Sequence, residues 1–142
     1  MVSVVAVSPE LTYPLRQALL RPHQQMAELA EPDDLAPEAR SFAAFDTAGK
    51  VVGTGVVSRR PPGWQVRAMA VDPSFRGQGI GSQVLAAILD HVRACGGGLV
   101  WCNVRTPAVG LYRRAGFVVT GEPFDLPHIG PHVRMELDVP SG

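Results

Sequence analysis

The sequence predicts a mixed α/β fold built on one central β-sheet. Three observations predict it. Short β-branched runs recur along the chain, an amphipathic helical stripe starts at Ile80 directly after a glycine-rich turn, and 142 residues with 46% hydrophobic and 18% charged side chains suffice for one globular core. The formal net charge is zero and Lys50 is the one lysine. Nucleic-acid binders take most of their affinity from Lys and Arg that neutralise phosphates, so this balance argues for a small-molecule partner and against nucleic acid. No apolar run approaches the roughly 18–20 residues that span a membrane, and the N-terminus has no basic and apolar signal-peptide pattern. The expectation is one cytoplasmic domain over residues 1–142, with no membrane partner. Cys95 and Cys102 show neither metal nor redox spacing and lie in apolar stretches, where cysteine packs as a small hydrophobe.

Val2 to Val7 is a β-branched run closed by Ser8-Pro9 and reads as the first strand. Leu11 to Leu20 reads as a helix with Leu15 and Leu19 on one face, and Arg21-Pro22 ends it because proline disfavours helix at the residue before it. From Pro22 to Arg40 the prolines and the acids Glu31, Asp33, Asp34 and Glu38 follow no period, which reads as a long surface loop of the kind that carries function. Ser41 to Asp46 and Val51 to Ser58, joined by Thr47-Ala48-Gly49-Lys50, read as a hairpin. The turn Arg59-Arg60-Pro61-Pro62-Gly63 leads into a strand from Trp64 to Val71. Its alternation fails near Ala68, where Met69 and Val71 become apolar as well; either both faces are buried there or a bulge interrupts the strand.

Ile80, Val84, Leu85, Ile88, Leu89 and Val92 form the stripe of the long helix, which Gly96-Gly97-Gly98 stops. Leu99 to Val104 reads as a buried strand. Thr106 and Pro107 read as the N-cap and first-turn proline of a short helix ended by Gly116. Phe117 to Thr120 and His132 to Val139 are the last two strands, so the order is β-α-β-β-β-α-β-α-β-β.

The turn Arg76-Gly77-Gln78-Gly79-Ile80-Gly81 lies between a strand and a helix. Glycines permit positive φ and close backbone approach, and a helix N-terminus offers unpaired N–H groups and partial positive charge, which together suit a phosphate. The plainer reading is a tight turn that needs glycine for its conformation alone. A Walker A loop would need a lysine, absent here, and a dinucleotide fingerprint would need a glycine where Ser82 stands.

Arg76, Gly79 and Gly81, preceded by Val71-Asp72-Pro73, resemble the Arg/Gln-x-x-Gly-x-Gly/Ala signature of the GCN5-related N-acetyltransferase (GNAT) superfamily. The segment Ala108-Val109-Gly110-Leu111-Tyr112-Arg113-Arg114-Ala115-Gly116-Phe117 is similar to the family's Ala-x-x-Leu-Tyr-x-x-x-Gly-Phe. The ending from Gly121 to Met135 resembles that of an uncharacterised small single-domain subgroup with an Ile-x-Pro-His-type motif. The resemblance implies a mixed central sheet with a splayed central strand pair flanked by helices. It also implies acetyl-CoA as cosubstrate without a metal, an amine acceptor, and a monomer or homodimer.

The same resemblance assigns residues. Backbone amides of the turn, Gly77 through Ser82 (Gly77, Gln78, Gly79, Ile80, Gly81 and Ser82), with Arg76, would hold the CoA pyrophosphate. Met69, Ala70 and Val71 would pair with the pantetheine arm, and an amide there would polarise the thioester carbonyl. Tyr112 matches the family's tyrosine acid, the plainer alternative being a packed core tyrosine. Gly110 in the same helix fits close cofactor approach or plain packing equally. Asn103 stands where many relatives carry a glutamate base and cannot take a proton; Arg105 would bind an anionic acceptor or CoA, or form an exposed ion pair. His132 and Glu122 are the candidate proton acceptors in the tail, with a capping role as the alternative for His132; His128 is expected in solvent. Three activities remain open: amine acetylation, a catalytically weak acyl-CoA-sensing module, and transfer from another acyl-CoA donor.

Overall fold

The structure is a computed structural model that describes residues 2–25 and 29–142. Eight strands, β1 (Ser3–Val7), β2 (Arg40–Phe45), β3 (Val51–Arg60), β4 (Gly63–Val71), β5 (Gly98–Arg105), β6 (Val118–Val119), β7 (Phe124–Leu126) and β8 (Gly130–Val139), form one mixed sheet. The helices are α1 (Tyr13–Leu19), α2 (Ile80–Ala94) and α3 (Val109–Arg114). Strand order is β1-β2-β3-β4-β5-β8-β6, with β7 also paired to β8. Neighbours are antiparallel except β4 and β5, which run parallel. No helix among the described residues is long and apolar enough to cross a membrane.

Period-2 alternation sorts the side chains of β4 onto two faces. Trp64 and Val66 are buried towards α2, where the Trp64 ring meets His91 edge-on at 5.9 Å. Gln65 and Arg67 point the other way, to Arg60 and to the carboxylates that follow α1. The apolar stripe of α2 (Ile80, Val84, Leu85, Ile88, Val92) joins Val52, Val57, Trp64, Val66, Val100 and Met135 in one buried cluster.

The broken alternation in β4 is a β-bulge. Thr54 pairs with Ala70 and Val56 with Arg67, so Ala68 and Met69 together oppose Gly55. Ala68 takes φ of 56°, and its carbonyl accepts a 2.8 Å hydrogen bond from the Thr54 hydroxyl. The bulge needs Gly55, because a Cβ there would lie 2.6 Å from Met69 Sδ, 2.7 Å from Val84 Cγ1 and 2.9 Å from Ile88 Cδ1. Gly55→Val is therefore expected to destabilise the fold by about 1–3 kcal/mol through overpacking, read as a lower urea midpoint at unchanged m-value.

β4 and β5 pair only at Trp64 with Val100 and Gln65 with Trp101, and then part. The implied splay is thus present, and it leaves a gap between the two strands.

The structure departs from the sequence-based expectations in five places. Pro9–Thr12 forms a 3-10 turn, so α1 starts only at Tyr13, and its buried side chain is Arg16 rather than a leucine. Arg16 is held by the Thr12 hydroxyl and the Leu29 carbonyl, each at 3.3 Å. The described part of the 22–40 segment is anchored rather than a bare surface loop: Leu29 and Asp34 are buried and Pro32–Leu35 forms a 3-10 turn. Its acids bind arginines of the sheet, Asp33 to Arg60 at 2.5 Å, Asp34 to Arg67 at 2.7 Å, and Glu31 to both. Residues 26–28 of that segment lie outside the described ones. Thr106 does not cap a helix; it opens a 3-10 turn, Thr106–Ala108, and its hydroxyl donates to the Pro131 carbonyl at 3.3 Å. The penultimate strand shrinks to Val118–Val119, and β7, between two prolines, adds a strand that propensity alone gave no reason to expect.

Candidate active site

A cleft of about 880 Å³ opens where β4 and β5 part. Its walls are the Met69–Val71 end of β4, the turn into α2, β5 from Cys102 to Arg105, α3, the end of α1 and His132.

The turn is built in two steps. Asp72 accepts the Ser74 N–H at 2.9 Å and pairs with Lys50 at 3.3 Å; these two partners, Ser74 first, hold its carboxyl below the usual aspartate range despite some desolvation. Gly77 and Gly79 then take φ of 79° and 78°, the left-handed region that glycine enters freely, and Gly79 is the N-cap of α2. The first helical donor to find a carbonyl is Gln83, bonded to Gly79 at 3.0 Å. Among the described residues, the N–H groups from Gly77 to Ser82 have no protein acceptor. A Cβ on Gly77 or Gly79 would meet nothing within 4 Å, so space stands open beside these two residues of the row, whereas one on Gly81 would touch Leu111 at 3.4 Å. Row, space and the positive end of α2 fit a pyrophosphate. Arg76, Gly77, Gly79, Ile80, Gly81 and Ser82 line the cleft, whereas Gln78 faces a separate small depression beside Asp46 and Thr47.

Tyr112 and His132 stand on opposite faces of the sheet. Cys102 and Val104 of β5 point to the α2 side, and Tyr112 of α3 packs there, 2% exposed, with its ring edge-on to Phe117 at 5.3 Å. The Cys102 thiol donates to the Tyr112 oxygen over 3.5 Å. Burial, followed by the neighbouring Cys102, pushes the tyrosine hydroxyl well above its ordinary value, and burial pushes the Cys102 thiol up to about 12. Both groups hold their protons at neutral pH.

Asn103 and Arg105 alternate to the α1 side, and His132 of β8 is the cross-strand partner of Arg105 on that same face. The His132 ring is buried, stacks on Phe124 at 5.8 Å, and has Nδ1 2.8 Å from the Gly130 carbonyl. A carbonyl only accepts, so Nδ1 is the donor in this contact and Nε2 is the ring nitrogen left for another partner. Arg105 donates to the Leu20 carbonyl at 3.1 Å, and burial lowers its pKa. Asn103 is exposed on the cleft wall. Glu122 is exposed in the connection before β7 and is not among the lining residues. His128 is exposed with φ of 67°, and its ring stacks on His23 at 4.8 Å, joining the segment after α1 to the β7–β8 turn. Leu126, from that hairpin, and Gln24, from the segment after α1, both line the cleft.

Cys102 and Arg21 are among the lining residues that the sequence reading did not assign to the site. Cys102 read as a core hydrophobe; its parity on β5, opposite to that of Asn103, was the signal that it meets α3. Arg21 read only as a helix stop, and no local signal marks it as part of the cleft.

This fold, a mixed sheet parted beside a glycine turn, is shared with solved acetyltransferases. The ribosomal-protein-S18-alanine N-acetyltransferase of Escherichia coli superposes with a TM-score of 0.81 at 18% identity, covering 100% of this chain and 96% of that one. An aminoglycoside 6'-N-acetyltransferase, crystallised with coenzyme A, superposes with a TM-score of 0.79 at 15% identity over 96% and 97% of the two chains. In sequence, an uncharacterized N-acetyltransferase of Bacillus subtilis strain 168, YitI, is 30% identical over 141 residues, 95% of each chain. Residues 8–117 match the Acetyltransferase (GNAT) family, to which this chain belongs. It is an acetyltransferase by family and fold.

Proposed function

We propose that the protein transfers the acetyl group of acetyl-CoA to a primary amine of a small molecule or peptide, by direct attack in a ternary complex. The observation that carries this reading is the cleft itself. It is lined along one side by backbone N–H groups that have no acceptor among the described residues, and a protonated tyrosine and a histidine whose Nδ1 is engaged by a carbonyl occupy its opposite walls.

In this reading Gly77 to Ser82 and Arg76 hold the pyrophosphate, and the bulged Met69–Val71 backbone, unpaired towards β5, binds the pantetheine arm and polarises the acyl carbonyl. Acetyl-CoA supplies the acyl group as a thioester. His132 Nε2 takes the proton of the attacking amine from the α1 side, and the Tyr112 hydroxyl gives its proton to the departing sulfur from the α2 side. Asn103 and Arg105 orient the acceptor. The chemistry calls on no metal, nucleic acid or membrane, one domain as a monomer or homodimer suffices, and we place it in the cytoplasm.

Thiol release from acetyl-CoA against a panel of amines tests the reading: release should depend on the amine. Acetyl-CoA binding without turnover on any amine would replace it with an acyl-CoA-sensing role. His132→Gln keeps a polar side chain and loses the base, so kcat is expected to fall about 100-fold at unchanged acetyl-CoA affinity. An unaltered kcat would move the base elsewhere.

A further inference from the structure

The chain is neutral overall, but its cleft is not. Six arginines line it against one carboxylate, Glu31, which is already bound to Arg60 and Arg67. Arg76 and Arg114 lie at the turn and α3 end, where a polyanionic donor would use them. Arg67 is matched by Asp34 and Glu31, and Arg16 is enclosed by Thr12 and Leu29. Arg21 and Arg105 remain.

These two guanidinium groups converge on one atom. Arg21 Nη1 and Arg105 Nη2 lie 2.9 and 3.1 Å from the same Leu20 carbonyl oxygen, at the C-terminal end of α1. Among the described residues neither has a carboxylate within ion-pair distance. Burial lowers the pKa of both, and the Arg105 charge lowers that of Arg21 further, opposed by a smaller raising effect of the Glu31 charge. A helix C-terminus explains one cation on that carbonyl. It does not explain two that repel one another, partly withdrawn from water, with one hydrogen bond each among the described residues. A carboxylate placed between them would relieve the repulsion and take the paired N–H geometry that guanidinium offers.

The position matters as much as the charge. Arg105 is the direct cross-strand partner of His132 on one face of the sheet, so their Cβ atoms are about 5 Å apart. An acceptor whose amine reaches His132 Nε2 would carry its anion only a few bonds away. We infer that Arg21 and Arg105 form an anion subsite and that the acceptor is a small, amino-acid-type amine with a carboxylate close to the reacting nitrogen. This inference rests on the proposed function for the identity of the acceptor, but the subsite can be tested without turnover. Polycationic amines such as polyamines are disfavoured by the same two charges.

The test is calorimetric titration of the CoA-saturated protein with free amino acids and with the carboxamide of each, which differs only in lacking the anion. At least one acid should bind, with its amide weaker by about tenfold or more. Arg105→Gln and Arg21→Gln should each shrink that difference, Arg105→Lys should restore part of it, and CoA affinity should stay constant throughout, which also shows that the variants fold. Equal binding of acid and amide, binding of neither, or preference for a polyamine would overturn the subsite. Carboxylate-dependent binding without thiol release would instead overturn the catalytic reading and leave the subsite standing.

Discussion

Tyr112→Phe is expected to cut kcat by about 10²- to 10⁴-fold and to leave acetyl-CoA affinity within twofold or so of the parent. The substitution removes one oxygen from a ring that is 2% exposed and packed edge-on against Phe117, so the cavity left behind is too small to disturb the helix. Its one polar partner among the described residues, the Cys102 thiol over 3.5 Å, is a weak donor whose loss costs little. A purely structural tyrosine would therefore show almost no effect, and an acid catalyst a large one. The pH dependence separates them further. Burial holds the Tyr112 hydroxyl well above its ordinary value, so it stays protonated and the ratio of wild-type to variant kcat should be flat from about pH 6 to 9. The sign for stability follows from the same shift. Above about pH 10 the unfolded chain releases this proton and the native one keeps it, so native stability falls as pH rises, and only there. A ratio that declines between pH 7 and 9 would show that the acid is another group.

Gly79→Glu is expected to abolish acetyl-CoA binding, a loss of about 100-fold or more in affinity, while leaving a folded protein. Two effects act on the ligand. The new carboxylate enters the open space beside Gly79, where we propose that the pyrophosphate binds, and it adds like charge to that place. The fold tolerates the change because a Cβ at Gly79 meets no atom within 4 Å and an acid suits the N-terminus of α2, against about 1–2 kcal/mol for a side chain at φ of 78°. Gly79→Ala, with that conformational cost but no charge, should retain most of the affinity. Titration calorimetry decides: a Gly79→Glu protein that binds as the parent does would place the pyrophosphate elsewhere.

The turn and bulge that form the proposed donor half of the site were legible in the sequence because they are local. Positive-φ glycines, a helix start and a strand that loses its alternation all lie within one stretch from Met69 to Ser82, and each leaves a mark in residue order. The bulge is a good example: the alternation broke near Ala68, and the structure places Ala68 and Met69 there opposite the single Gly55. The proposed acceptor half is assembled from distant segments. Arg21 follows α1, Arg105 ends β5 and His132 lies in β8, and only strand register and one shared carbonyl bring them together. Long-range ion pairs hid equally well. Glu31, Asp33 and Asp34 looked like solvated loop acids because Arg60 and Arg67, their partners, are some thirty residues away along the chain. β7 escaped notice because it is three residues long and owes its pairing to β8 rather than to its own propensity.

The most direct measurement is a crystal structure of the protein with acetyl-CoA bound. It should show pyrophosphate oxygens about 2.7–3.2 Å from N–H groups between Gly77 and Ser82, the pantetheine arm along Met69–Val71, and the thioester sulfur beside the Tyr112 hydroxyl with His132 across the cleft. Acetyl-CoA seated away from the gap between β4 and β5, or with its sulfur turned away from Tyr112, would contradict the account.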